Sequence, residues 1–150
     1  MVDRPFTTFN FTVSLTLPGE SAPLCDGAFS ECDGLEISLE PKTIREGGNN
    51  GRVIHLVGPV SYGQLTLKRG MTRSLGLWRW FETVQRQRTV RASGEIVVLG
   101  SDRAREDVRF VIGGCLPIKI KAPALHGLDG QIAIEEMQVA YETLHLAGSV

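Results

Sequence analysis

Cysteine and histidine are scarce in this sequence, and their spacing matches no metal or redox motif. The 150 residues contain three cysteines and three histidines, and no two cysteines form a CxxC pair. His126 has Asp129 nearby and His145 has Glu142, but neither pair has a third candidate ligand in the local sequence. We therefore expect no metal and no cofactor. We interpret the cysteines as small thiols buried in a reducing compartment, at Cys25, Cys32 and Cys115.

The sequence also lacks a long apolar run and the common catalytic fingerprints. No segment is long enough to cross a bilayer, and the start, MVDRPFTTFNF, has no signal-peptide core. No P-loop, G-x-G-x-x-G or G-x-S-x-G motif occurs. On a strand, the adjacent Glu135 and Glu136 would face opposite sides, so they cannot act as a catalytic pair. We therefore expect no membrane insertion by this chain, no catalytic residues and no enzymatic activity.

A strong excess of either charge is absent, but the charges are segregated along the chain. The formal net charge is −1, which argues against a protein that grips nucleic acid. Residues 20–40 and 122–150 contain acidic residues and no Lys or Arg, whereas residues 68–91 contain seven basic residues and only Glu82. This pattern fits a solvated surface whose charges mix on folding. It also fits complementary patches that orient one copy of the protein against the next.

Alternating hydrophobic residues indicate a mainly β protein. The length corresponds to a single domain, residues 1–150. We interpret 18–27 and 45–51 as loops, the second of them flexible, and 100–107 as a polar turn. A period of two predicts strands over 9–17, 29–39 with a bulge at Asp33–Gly34, 52–57, 64–69, 90–98, 107–112 and 116–121.

One amphipathic helix interrupts the strands. Ser74 is its predicted N-cap. Arg79, Glu82, Thr83 and Arg86 fall on the polar side of the helical wheel. The opposite arc also contains Trp80, and we expect its residues to pack as a core face, since aromatic side chains dominate core burial. The core-helix residues that we assign are Leu77, Trp78, Phe81 and Val84.

The last periodic segment, residues 132–146, is ambiguous. Its hydrophobic residues fit a helical stripe, but they also fit a strand that changes phase twice. Such phase changes would occur in a strand that passes from one sheet to another, or from its own core to a neighbour's surface. Together with the short strands and glycine-rich turns, this segment favours a sandwich or a closed barrel.

The transition from strand to helix contains two cations and a glycine, Lys68, Arg69 and Gly70. They could form an anion cradle at the start of the helix. They could instead form a structural corner that presents charge to a neighbouring molecule. Four uncommitted residues separate Gly70 from the helix, so the anion signal is weak.

Several segments together resemble the inner tube protein of contractile phage tails and related contractile injection systems. The combination of F-S-E-x-x-G-L, R-E-G-G-N and L-T-L-K-R-G-x-T before a Trp-containing helix is specific to that family. The sequence departs from the family at Cys32, where members often have Val, at residues 113–117, and in the long loop 18–27. The matching segments, over about residues 9–147, are FTVSL, GAFSECDGLEISLE, TIREGGNNGRVIHLVGPVSYGQLTLKRGMT, LWRWFETV, LPIKI and AIEEMQVAYETLHL.

The resemblance implies a fold and a function. The fold is two antiparallel sheets packed into a β-barrel or sandwich with one flanking α-helix, and the last segment is a strand. The function is that of a structural tube subunit, forming stacked hexameric rings around a lumen that conducts DNA or protein cargo. The implied partners are further copies, a contractile sheath, baseplate and spike proteins, and a terminator. Assembly would take place in the bacterial cytoplasm, and the product would be a phage tail or a released injection particle.

We expect the contact between copies to involve the glycine-rich loop and the charged corner. The loop cannot support packing of its own, and ordering it costs about 1–2 kcal/mol per residue, so a partner would have to order it. The interface residues that we assign are Arg45, Glu46, Gly47, Gly48, Asn49, Asn50, Lys68, Arg69 and Gly70. Two alternatives stay open: a tube-initiator or terminator ring of the same machine, and a small barrel that binds an apolar ligand.

Overall fold

The computed structural model describes Pro5 and residues 10–27, 29–45, 51–128 and 130–148. Within these residues the fold is mainly β with one helix, as the sequence predicts, and all strand pairs are antiparallel. The elements in chain order are β1 (Phe11–Thr16), β2 (Cys25–Gly27), β3 (Glu31–Asp33), β4 (Ile37–Leu39), β5 (Lys42–Arg45), β6 (Val53–Leu56), β7 (Val60–Tyr62), β8 (Gln64–Gly70), α1 (Gly76–Arg86), β9 (Ala92–Leu99), β10 (Glu106–Lys121), β11 (Ile134–Ala140) and β12 (Thr143–Leu146).

One long strand connects the two layers of the fold. The main path of pairing runs β2-β1-β9-β10-β11-β8-β3, and β12 also pairs with β10. The first part of β10 pairs with β9 and β12, whereas its last part, Leu116–Lys121, pairs with β11. The path ends at β2 and β3 without pairing them, so the described residues form an open, sandwich-like arrangement and not a closed barrel.

The glycine pair in β10 bends the strand without ending it. Two strands, 107–112 and 116–121, were expected here, with a bend between them. The structure has one strand of 16 residues, and its register with β9 shifts between Ile112 and Cys115. Gly114 has a φ of 64°, a conformation that favours glycine. The bulge lets the same strand contribute to both layers.

The ambiguous last segment is a strand interrupted once. β11 pairs with β8 and with the end of β10, and β12 pairs with the beginning of β10. Between them, the backbone N–H of Glu142 donates a hydrogen bond to the carbonyl oxygen of Gly113 at 2.8 Å. The change of phase therefore marks the passage of the chain from one layer to the other.

Side chains from both layers and the helix fill the space between them. The alternating residues of β1, β8 and β11 point inward in one phase and outward in the other, as a half-buried strand requires. The largest fully buried apolar side chains are Trp80, Leu15, Leu65, Leu67, Leu77, Ile112, Met137, Val13 and Val139. They form one hydrophobic cluster that joins the sheets to α1.

Several boundaries differ from the sequence-based expectations. The expected strand 29–39 is two strands in different sheets, since β3 pairs with β8 and β4 pairs with β7. Gly34 separates them with a φ of 108°. The short strand β7 was missed, because Gly58–Pro59 looks like the end of the preceding strand. The end of the expected loop 18–27 is β2, which pairs with β1.

The prediction that Ser74 caps the helix is wrong. The N-cap position is Leu75, and no side-chain hydrogen bond caps the helix there. The Ser74 backbone instead makes other local contacts, since its N–H donates to Thr72 Oγ1 at 3.2 Å and its carbonyl accepts from Arg69. Gly76 opens the helix in contact with Leu24, whose carbonyl oxygen lies 1.8 Å from where a Cβ would be. This close approach explains why the first helical residue has no side chain.

Candidate assembly surface

A buried ion pair fastens β8 to β11 at the corner before the helix. Arg69 and Glu135 are direct partners in the antiparallel register, and Arg69 Nε donates to Glu135 Oε1 at 2.6 Å. Glu135 is 2% exposed and Arg69 is 9% exposed. Trp78 Nε1 donates to Glu135 Oε2 at 2.8 Å, and Arg69 Nη2 donates to the Ser74 carbonyl at 3.0 Å. One carboxylate therefore joins two strands to the helix.

This arrangement corrects the expected role of Arg69. Its guanidinium is occupied inside the subunit, and its Cζ also lies 5.4 Å from the centre of the Phe29 ring. It is not a surface charge that presents itself to a neighbour. A guanidinium already paired with a carboxylate is also not available to bind a phosphate, so the geometry disfavours the anion cradle. The structural-corner interpretation fits the geometry.

Lys68 lies on the opposite face of β8 and is partly exposed. Its Nζ lies 3.3 Å from Glu31 Oε2, across the β3–β8 pair. The basic segment 68–91 thus meets the acidic segment 20–40 through Lys68, and the acidic segment 122–150 through Arg69, within one subunit. The hypothesis that these charges meet across subunits is wrong for these two pairs, because the sheet register brings the partners together first.

The helix packs against the core through the arc that its sequence indicates. Leu77 and Trp80 are fully buried. Phe81 and Val84 are partly buried and pack against the core cluster. Trp78 lies at the edge of this face, where its indole N–H reaches Glu135.

Residues 37–45 and 51–62 form two antiparallel strand pairs, here together called the arm, that expose apolar side chains. β4 pairs with β7 and β5 pairs with β6, and the Glu40 N–H donates to the Pro59 carbonyl at 3.0 Å where the two ribbons meet. Every described residue of the arm is exposed or partly exposed. Its exposed large hydrophobic residues are Ile37, Leu39, Ile44, Val53, Leu56, Val57 and Val60.

The base of the arm is fixed to the sheets by the buried side chain of Tyr141. Its hydroxyl donates to the Gly34 carbonyl at 2.7 Å and accepts from the Glu36 N–H at 2.9 Å. Its ring lies 5.7 Å from the ring of Tyr62, on the other strand of the arm. Gly63 N–H donates to the Glu36 carbonyl at 3.0 Å. The arm therefore leaves the body at a defined position.

The structure places the expected interface residues in different surroundings. Arg45 ends β5 and is exposed, whereas Glu46, Gly47, Gly48, Asn49 and Asn50 lie outside the described residues. Lys68 is partly exposed, and Arg69 is internal. Gly70 ends β8, and the side chain of Ile132 lies 3.6 Å from where its Cβ would be. Apart from Arg45, the residues of the exposed strands β5 and β6, on either side of residues 46–50, were not assigned to the interface from the sequence.

Reactive side chains do not converge in the described part of the chain. Burial, followed by the charges of Asp33 and Glu31, raises the pKa of the Cys32 thiol to about 12. Burial, followed by Glu142, raises the pKa of the Cys115 thiol to about 12. Such thiols stay protonated and are poor nucleophiles. Among these residues there is no group of three metal-ligating side chains. No described helix is long and apolar enough to span a membrane.

Comparison with known proteins links this geometry to a family. The family model described as T4-like virus tail tube protein gp19 matches residues 7–145. None of the curated proteins matches the chain.

Solved structures from contractile injection systems have the same fold. A chain in the cryo-EM structure of the anti-feeding prophage baseplate has 26% identity and a TM-score of 0.81, with 98% of each chain covered. A chain in the tube-terminating cap of the anti-feeding prophage has 18% identity and a TM-score of 0.79, covering 97% of this chain and 93% of that one. The sheath–tube complex of the extracellular system PVC, in its extended state, gives 19% identity, a TM-score of 0.76 and the same coverage.

Proposed function

Since the chain belongs to the family of the T4-like virus tail tube protein gp19, a family of structural tube subunits, we propose that it forms hexameric rings that stack into a hollow inner tube. The observation that carries this proposal is the arm. In an isolated subunit, seven large apolar side chains of the arm are exposed to water, although the base of the arm is hydrogen-bonded to Tyr141. Exposed apolar patches of this kind mark contacts with other proteins.

The arm provides contact energy that surface charges do not. Burying a large apolar side chain fully stabilises a contact by about 1.5–3 kcal/mol, whereas an exposed ion pair contributes about 0–1 kcal/mol. We assign the contact between copies to the arm, including Arg45 and the loop 46–50. Lys68 remains assigned to the contact because its side chain is partly exposed, although its charge already pairs with Glu31, and Arg69 is withdrawn from the assignment.

The tube would work with the other components of a contractile machine. The similar structures come from a baseplate, a terminating cap and a sheath–tube complex. We propose a surrounding sheath, a baseplate with a spike and a terminator as partners, assembly in the bacterial cytoplasm, and no enzymatic activity. The net charge of −1 supports a conduit through which DNA or protein cargo slides, since a strongly basic lumen would hold nucleic acid.

A terminator or initiator ring of the same machine is the second candidate. It is favoured by the similarity to a chain in the cap of the anti-feeding prophage, because the TM-score of 0.79 is close to that of the baseplate chain. A barrel that binds an apolar ligand has less support, because in the described part of the chain the interior is filled by Trp80 and its neighbours.

Negative-stain electron microscopy of the purified protein separates these candidates. We expect long hollow tubes. Isolated rings that do not stack would favour the terminator or initiator, and monodisperse monomers at high concentration would contradict both ring-forming functions.

A further inference from the structure

The arm joins the body through two chain segments whose backbones touch each other. A Cβ on Gly34, before the arm, would lie 1.9 Å from the Gln64 carbonyl oxygen, after the arm. A Cβ on Gly63 would lie 2.9 Å from the Gly34 carbonyl oxygen. The Gly63 N–H also donates to the Glu36 carbonyl at 3.0 Å. We call Gly34, Glu36 and Gly63 the neck of the arm.

Tyr141 is the side chain of the body that holds the neck. It follows β11 directly and is 5% exposed. Its hydroxyl oxygen accepts a hydrogen bond from the Glu36 N–H at 2.9 Å. The same oxygen lies 2.7 Å from the Gly34 carbonyl oxygen and 3.2 Å from the Glu36 carbonyl oxygen, to which its proton can be donated. One hydroxyl group therefore fixes the chain on both sides of Leu35.

The arm beyond the neck is joined to the body by weaker constraints. Within the described residues, no hydrogen bond or ion pair links 37–45 or 51–62 to the body. Tyr62 packs its ring against that of Tyr141 and against the core cluster. Apolar contacts are non-directional, whereas a hydrogen bond weakens steeply when its angle changes. The ring contact therefore tolerates rotations of the arm that the hydroxyl does not.

We propose that Tyr141 is a positioning residue that sets the direction in which the arm leaves the body. Without its hydroxyl, the arm stays folded but swings as one unit about the neck. Assembly then has to select the subunits whose arm has the correct direction, so the apparent affinity falls with their fraction. This consequence for assembly rests on the proposed tube function, whereas the control of the arm's direction does not.

Residue-resolved hydrogen–deuterium exchange of the monomeric fraction tests this inference. Tyr141→Phe removes the hydroxyl group and keeps the ring. Tyr62→Phe is the matched control, because it removes a hydroxyl group that makes no hydrogen bond within the described residues. We expect the control variant to exchange at the rates of the parent.

The informative amides lie in the neck and in the arm. The Glu36 N–H donates to Tyr141 itself, the Gly63 N–H donates to the Glu36 carbonyl, and the Glu40 N–H donates to Pro59 within the arm. In Tyr141→Phe we expect the Glu36 and Gly63 amides to exchange about tenfold faster or more, because both hydrogen bonds break when the arm swings. The Glu40 amide and the amides of β1 and β9 should keep their parent rates, since the arm and the body stay folded.

The other patterns of exchange overturn the inference. Faster exchange of the Glu36 amide alone would show that the hydroxyl protects one amide without positioning the arm. Faster exchange at Glu40, or in β1 and β9, would show that the variant loses the fold of the arm or of the body. Parent rates at every amide would show that the hydroxyl does not hold the neck.

Sedimentation of the assembled protein gives a second readout. We expect the critical concentration for assembly to rise about tenfold or more in Tyr141→Phe and to stay unchanged in Tyr62→Phe. An unchanged critical concentration together with faster exchange in the neck would overturn the role of arm direction in assembly and leave the tube function standing. A parent protein that never sediments would contradict the tube function, and the exchange rates would still decide whether Tyr141 positions the arm.

Discussion

Replacing Glu135 with Gln removes the negative charge from the corner between β8, β11 and the helix but keeps the size of the side chain. The buried guanidinium of Arg69 would then have the new amide oxygen, the Ser74 carbonyl and the face of Phe29 near it, but no negative charge to compensate its own. Removing one partner of a buried ion pair destabilises a protein by about 3–5 kcal/mol. Since both side chains are about nine-tenths buried or more, we expect Glu135→Gln to lower the free energy of unfolding by this amount.

Urea unfolding of the monomeric fraction measures this loss, because assembly would add a concentration-dependent term. Glu136→Gln is the matched control. Its side chain points to the other face of β11, so we expect a change of about 0.5 kcal/mol or less. The double substitution Arg69→Met with Glu135→Leu should recover most of the loss, since it removes both buried charges. A Glu135→Gln variant as stable as the control would refute the structural role of the pair.

Three further predictions concern other parts of the fold. Gly34→Ala should lower the free energy of unfolding by about 1–3 kcal/mol through backbone strain alone, because φ is 108°. The loss should be larger in total, because the new Cβ would lie 1.9 Å from the Gln64 carbonyl oxygen. Gly51→Ala, with open space around it, should be neutral, and equal urea midpoints for the two variants would contradict the argument. Thiol titration at pH 8 should show that Cys115 reacts about a thousandfold more slowly in the native protein than in urea. The reason is that a pKa of about 12, instead of 9.0, leaves very little of this cysteine as thiolate. Equal rates in the two conditions would contradict this. The hydrogen bond from Arg109 lowers the pKa of Glu106 from 4.5, so its contribution to stability is fully present above about pH 4.5 and is lost as the pH falls through the lower folded-state value. Glu106→Gln should therefore flatten the acid limb of stability against pH, and an unchanged limb would show that this hydrogen bond is not formed in solution.

Local periodicity predicts the elements of this fold better than it predicts their contacts. The helix and the main strands follow from the spacing of hydrophobic residues, because burial on one face imposes that spacing. Ser74 was misassigned as a cap because its backbone N–H and carbonyl bond to Thr72 and Arg69, contacts that the spacing of hydrophobic residues does not reveal. The three-residue strand β7 is too short for alternation to reveal.

The burial of Arg69 could have been inferred from the sequence. It continues the inward phase of Leu65 and Leu67, and Glu135 shares the inward phase of Met137 and Val139. The pairing itself could not be derived, because the two residues are 66 positions apart and only the strand register brings them together. For the same reason, the resemblance to a family predicts the architecture but not which charges stay inside one subunit.

A cryo-EM reconstruction of the assembled protein at side-chain resolution would decide whether this chain is a tube subunit held together by its arm. We predict stacked six-fold rings in which the apolar side chains of each arm are covered by a neighbouring copy. Assemblies in which Val57 and the rest of the arm stay in solvent, or a protein that never assembles, would contradict the account.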